Sequence, residues 1–201
     1  MQILISINHK RVIEYSQHPW PDVDAMNEGL IKNWNSRVGK DDRVFVLGDF
    51  SFGNKQQILD VVPRLNGTKI LVRGNHDIRS GVFYVEAGFA AVSPYPMFYT
   101  DESHGFAQRF LLSHKPIFPQ VGDLINIHGH LHDGVNPNFW APQHICVSVE
   151  MINYRPARLS EILAMLKEKN DKFPFKLPID LRENYDARDV DRSMEGSPAN
   201  T

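Results

Sequence analysis

Four short apolar runs in this chain each stop at residues able to bind a metal ion. Arg43–Leu47 gives way to Gly48-Asp49, Lys69–Val72 to Arg73-Gly74-Asn75-His76-Asp77, Arg109–Leu112 to Ser113-His114, and Leu124–Ile127 to His128-Gly129-His130. Runs this short and this continuously apolar predict strands covered on both faces. Gln2–Ile7 and Ile145–Val149 are of the same kind. Between the early runs the apolar spacing becomes helical. Met26, Leu30, Trp34 and Val38 recur at intervals of four within Val23–Val38, with Asp22 placed to cap the helix. Ile58, Leu59 and Val62 form a stripe in Lys55–Val62, which Pro63 stops. A last helix is expected over Ser160–Lys167, capped by Ser160 and burying Ile162, Leu163 and Leu166. The pattern predicts a layered α/β fold with mixed sheets.

The segments Ser93–Gly105 and Asp133–Gln143 read as rim loops. Tyr95, Phe98 and Tyr99 in the first could stack on a base or pack against the domain. One domain is expected over residues 1–167. A charged extension follows over 168–201, in which Phe173, Phe175, Leu177, Ile179 and Leu181 could strap onto the domain before a disordered end.

Composition excludes several classes. Lys plus Arg is 22 and Asp plus Glu 24, so bulk positive charge cannot hold nucleic acid, although a local phosphate site is compatible with it. The single cysteine, Cys146, cannot form an internal disulfide. The longest apolar runs fall far short of the ~20 residues that span a bilayer. Apolar Met1–Ile7 meets His9, Lys10 and Arg11 too soon for a signal peptide, so a cytoplasmic location is expected. Oligomeric state leaves no signature.

Nine histidines are about twice the usual number, and their placement matters more. A lone Gly-Asp after a strand is ordinarily a turn, and a lone histidine ordinarily a surface or core residue. Here Asp49, Asn75-His76, His114 and His128-x-His130 all follow strands, at the edge where α/β sheets bind ligands. His18 and His104 sit among loop residues and read as solvated. His132, His144, Trp20, Trp34 and Trp140 read as structural, and Cys146 as a buried small hydrophobe.

These blocks resemble the calcineurin-like metallophosphoesterases, over the chain from its start to about Leu166. His9–Tyr15, Met26–Gly48, Leu65–Asp77 and Val147–Pro156 are similar to small bacterial and phage members. The resemblance implies a four-layer α/β/β/α sandwich and hydrolysis of a phosphomonoester or phosphodiester, with nucleotides among the candidate substrates, by metal-activated water. Asp49, Asn75, His114 and His128 would hold one metal, and Asp49 and His130 the other. His76 would act as general acid rather than ligand. Asp77 would either orient His76 or form the turn, and Arg73 could hold phosphate, with Lys115 beside it. Mixed nitrogen and oxygen ligation admits Mn, Fe, Zn, Ni or Mg.

One departure is plain. The family's first strand ends in Asp-x-His, whereas this one reads Ile5-Ser6-Ile7-Asn8-His9, as if three residues were missing after Ser6. Asn8 or His9 could substitute in part. One tight metal site and one weakened site are therefore expected. The alternative is a degenerate member that binds one metal or phosphate with little catalysis.

Overall fold

The computed structural model describes residues 2–4, 13, 19–101, 108–118, 124–132 and 143–172, and the apolar runs become strands of two sheets. In the first, β1 (Gln2–Leu4), β2 (Arg43–Val46), β3 (Thr68–Val72) and β4 (Ala91–Ser93) are parallel, and β9 (Ala157–Arg158) pairs antiparallel with β1. In the second, β5 (Met97–Asp101) is antiparallel to β6 (Gln108–Ser113), which runs parallel to β7 (Ile125–His128), itself parallel to β8 (His144–Cys146). This is an α/β fold with mixed sheets. Val44, Val46 and Leu71 from one sheet share a continuous buried cluster with Phe110, Leu112 and Ile127 from the other. Phe45 of β2 meets Tyr99 of β5 edge to face at 5.6 Å, joining the two sheets directly.

Helices cover this core where the spacing predicts them. In α1 (Val23–Asn35), the Asp22 side chain accepts from the Ala25 amide at 2.8 Å, and Met26, Leu30, Ile31 and Trp34 are buried. Trp34 donates through Nε1 to the Asn66 carbonyl. The helix stops at Asn35, short of the expected Val38, which is nevertheless buried. α2 (Lys55–Val61) opens with a reciprocal capping box between Asn54 and Gln57, and Pro63 lies in the single 3-10 turn that follows. α3 (Gly81–Ala87) ends at Gly88, whose φ of 115° suits glycine.

Three expectations need correction. First, α3 and β4 form where no element was expected: seven helical residues offer too short an apolar period to stand out. Second, Ser93–Gly105 is not simply a rim loop. Met97–Asp101 is a strand whose residues alternate half-buried and exposed, so one face only is covered. Tyr99 therefore packs between Phe45 and Phe110, while Phe98 and Tyr95 stay exposed. Third, the last helix, α4, covers Leu159–Lys172, so the texture change at Glu168 falls inside a helix. Lys169 explains why: its amine is buried and donates to the His144 carbonyl at 2.7 Å, docking the last turns of α4 on β8. Asn8, His9, His18, His104, Trp140, residues 133–142 and the extension beyond Lys172 lie outside the described residues. No helix among the described residues is long and apolar enough to cross a membrane.

Burial pushes the Lys169 ammonium down to about 8 from 10.5. Between those values the unfolded chain holds the proton more tightly than the folded one, so stability rises with pH across that window. The gain is on the order of 1–2 kcal/mol once partial solvation of the amine is allowed for. Urea midpoints measured at pH 7.5 and pH 10 should show this rise in the natural chain and a flatter response in Lys169→Met.

Candidate metal centre

Two pairs of neighbouring parallel strands, one pair from each sheet, point their C-terminal ends at the same place. β2 and β3 deliver Asp49 and Asn75, and β6 and β7 deliver His114 and His130. β1 leaves toward the same edge, since Leu4 pairs with Val46.

The loops after β2 and β3 cross at van der Waals limits. A side chain on Gly74 would place its Cβ 2.2 Å from Asp49 Oδ1, and one on Gly48 would lie 2.6 Å from His114 Nδ1. Both positions therefore require glycine. The buried Asp77 carboxylate ties the crossing together. Its Oδ2 accepts from the amides of Asp49 (2.7 Å) and Gly74 (2.8 Å), and its Oδ1 from the amide of Phe50 (3.0 Å) and the Tyr84 hydroxyl (3.4 Å). Burial raises the Asp77 carboxyl above its ordinary range, and these amides offset only part of that. Of the two readings of Asp77, the contacts correspond to the turn-forming one: its acceptors are used on backbone amides, not on the His76 ring.

Four lone-pair atoms converge above this frame. His114 Nδ1 lies 2.9 Å from the Leu47 carbonyl, which can only accept, so Nδ1 carries the hydrogen. In the neutral ring the lone pair is then on Nε2. Facing Nε2 are Asn75 Oδ1 at 3.0 Å, His130 Nδ1 at 3.1 Å and Asp49 Oδ2 at 3.3 Å. The ligand atoms of Asp49, His114 and His130 all lie within 4.8 Å of one another. One hydrogen between these atoms could satisfy one contact; a cation at their centre satisfies them together. Burial works to raise the Asp49 carboxyl, but the adjacent His114 ring and the hydrogen bond from the His76 amide together outweigh it and hold it below the ordinary range. Asp49 and His130 both have left-handed backbones, with φ of 52° and 67°, conformations that non-glycine residues adopt at a cost.

The remaining expected residues divide. His76 gives its backbone amide to Asp49 Oδ1 at 2.8 Å, while its exposed ring stands outside the ligand group beside Phe52, centroids 4.5 Å apart. His128 is not in the tight group. It is fully buried, its Nδ1 is on the Gly129 carbonyl, and its Nε2 has no hydrogen-bond partner among the described residues. Burial lowers its pKa to about 4, so the ring is neutral and keeps that lone pair. Arg73 is turned away from a phosphate role at Nε and Nη2, which bind the carbonyls of Asp77 and Arg79 and staple the loop. Lys115 is exposed.

Two supporting residues escaped the sequence reading. Asn126, fully buried in β7, donates to the Leu111 carbonyl and the Ser113 hydroxyl and accepts from the Ile117 amide, fixing the turn that carries His114. An asparagine inside an apolar strand was the available signal. Glu150 is paired with His132 Nδ1 at 2.9 Å; nothing local in the sequence links them.

An uncharacterized protein of Methanocaldococcus jannaschii is 33% identical over 172 residues, covering 80% of this chain and 86% of that one. The chain belongs to the family of this archaeal protein. The gene 66 protein of Mycobacterium phage D29 is 31% identical over 159 residues, covering 65% of this chain and 76% of the phage protein. That of phage L5 is 43% identical over 76 residues. The crystal structure of a protein of unknown function from Aquifex aeolicus superposes with a TM-score of 0.62 at 23% identity, covering 82% of this chain and 98% of that one, a likeness of fold. No family model matches the sequence.

If Asp77 is the tie rather than a partner of His76, its effect is on folding. In metal-free protein, Asp77→Asn should lower stability by about 1–3 kcal/mol, since an amide cannot accept on both sides. His76→Ala, at an exposed ring, should change the urea midpoint little. Equal stability of the two variants would contradict this division of roles.

Proposed function

We propose that the chain is a divalent-metal-dependent phosphoesterase of the calcineurin-like kind, its two mixed sheets forming the inner layers of a four-layer α/β/β/α sandwich. The observation that carries this reading is the convergence of Asp49, Asn75, His114 and His130, with His76 beside that group but not in it. The donor set suits Mn, Fe, Zn, Ni or Mg, and the buried orphan Nε2 of His128 is a further lone pair for the same purpose. A cation held there neutralises phosphate oxygens and lowers the pKa of water.

The chain's own residues supply the rest. Asp49 brings the negative charge, and the imidazoles and the Asn75 amide add ligands without adding charge. The His76 amide fixes one Asp49 oxygen, which leaves the other for the cation. The His76 ring, exposed and outside the ligand group, is placed to give a proton to the departing ester oxygen. The substrate is a phosphomonoester or phosphodiester, with nucleotides among the candidates.

Manganese titration followed by gel filtration and metal analysis should find one tightly held ion per chain. Bis(4-nitrophenyl) phosphate should be hydrolysed in manganese. Asp49→Ala should lose ion and turnover together, whereas His76→Ala should keep the ion and lose about 10²–10⁴-fold in rate. A tightly held ion without hydrolysis would instead favour the degenerate, binding-only member that the incomplete first motif suggests. Loss of the ion in His76→Ala would overturn the acid assignment.

A further inference from the structure

A cleft of about 190 Å³ lies beside His76, lined by Ser51, Phe52, Ile58, His76, Ile78 and Arg79 together with Gly53 and Tyr84. We infer that this cleft is a leaving-group site for a single aromatic ring bearing an anionic substituent. The assignment as a leaving-group site rests on the phosphoesterase reading, because the group that His76 protonates departs past His76. The ring-binding property does not rest on it.

Size is the first argument. The cleft is smaller than the ~300–1,000 Å³ of pockets that hold drug-sized ligands, so it takes one ring rather than a whole dinucleotide. Its lining is the second. Ile58 and Tyr84 are each 1% exposed and close the floor. Phe52 offers a ring tilted 41° to that of His76, and Ile78 is an apolar side chain 73% exposed on the loop after β3, where core packing gives it no role. An aromatic face and an exposed aliphatic side chain in one lining suit a ring.

Charge is the third argument. No carboxylate lines the cleft, and the Arg79 guanidinium has no ion-pair partner among the described residues. Arg73, six residues earlier, is committed to loop carbonyls, including that of Arg79 itself, and this fixes the backbone that presents Arg79. A planar, permanently charged group lining the cleft beside Phe52, Ile58 and Ile78 recognises a carboxylate or phosphate carried by the ring.

The test uses the full chain twice. First, 4-hydroxybenzoate is titrated into metal-free protein in excess EDTA and followed by amide NMR. Saturable shifts are expected at Gly53, Ile78 and Arg79. Phenol should bind about tenfold more weakly than 4-hydroxybenzoate, the equivalent of one charge-assisted hydrogen bond, and Arg79→Gln should erase that difference. Phe52→Ala should weaken both ligands. Absence of saturable shifts at these amides, or a carboxylate preference that survives Arg79→Gln, overturns the inference whatever the protein's activity.

Second, the manganese-loaded protein is given methyl 4-carboxyphenyl phosphate and methyl phenyl phosphate. The natural chain should favour the first by about tenfold in kcat/KM and Arg79→Gln should not. Ring binding without hydrolysis of either ester overturns the leaving-group assignment together with the phosphoesterase reading and leaves a ring-binding cleft. Hydrolysis of both esters at equal rates overturns the inference and leaves the phosphoesterase reading standing.

Discussion

The Asp77 carboxylate is the interaction on which the site's geometry depends. It sits under the crossing of two loops and gathers the amides of Asp49, Phe50 and Gly74. These amides follow β2 and β3, neighbours in a parallel ladder whose bonds end at Val46 and Leu71. Beyond that point nothing in the sheet would hold the two chains together, and buried amides without acceptors would be costly. One buried carboxylate supplies the acceptors and draws the loops so close that only glycine fits at 48 and 74. The closeness in turn leaves Asp49 a left-handed backbone, which aims its carboxylate across the crossing instead of along the strand.

The second sheet is joined to this crossing through His114. Its Nδ1 reaches the Leu47 carbonyl, the last residue before Gly48, so one hydrogen bond both couples the sheets at the site and sets which ring nitrogen faces Asp49. Behind it, Asn126 ties Leu111, Ser113 and Ile117 together, and the His114 carbonyl accepts from the Gly129 amide at 3.0 Å, which sets the turn to His130. Asp49, His114 and the turn to His130 are thus each tied by a backbone contact to a neighbouring loop.

Much of this was legible before any coordinates. Continuously apolar runs against a spacing of four separate β2, β3, β6 and β7 from α1 and α2, and the residues that end those strands meet because parallel neighbours end at one edge. The short elements were not legible: α3 has only seven residues, and β5 covers Met97, Tyr99 and Asp101 while leaving Phe98 exposed, a mixture that also reads as a loop rim. Nor could the sequence say which of two adjacent polar residues faces the ligands. His76 and Asp77 are neighbours in a turn, and only the backbone there turns the imidazole outward and the carboxylate into the protein. The distinction between His130 and His128 has the same origin, since a left-handed residue at 130 swings one ring into the group while its neighbour stays buried.

The buried histidines show what such an arrangement demands of the surrounding protein. His128 and His144 are each fully buried with ring centroids 5.7 Å apart, and burial brings both to a pKa of about 4. His144 has neither ring nitrogen hydrogen-bonded among the described residues and stacks instead on Phe118 at 4.2 Å. Orphaned polar atoms at this density are ordinarily selected against, because each forfeits its bond to water. On the proposed metal-binding reading their neutrality has an electrostatic consequence. Protonated imidazoles here would place positive charge behind the ligand group and repel a cation, while neutral ones leave Asp49 as the dominant charge. Lys169, whose amine is held on the His144 carbonyl with a pKa near 8, adds to the same pressure against protonating these rings. The apolar packing that costs these side chains their hydrogen bonds is therefore also what keeps both rings neutral beside the group formed by Asp49, Asn75, His114 and His130.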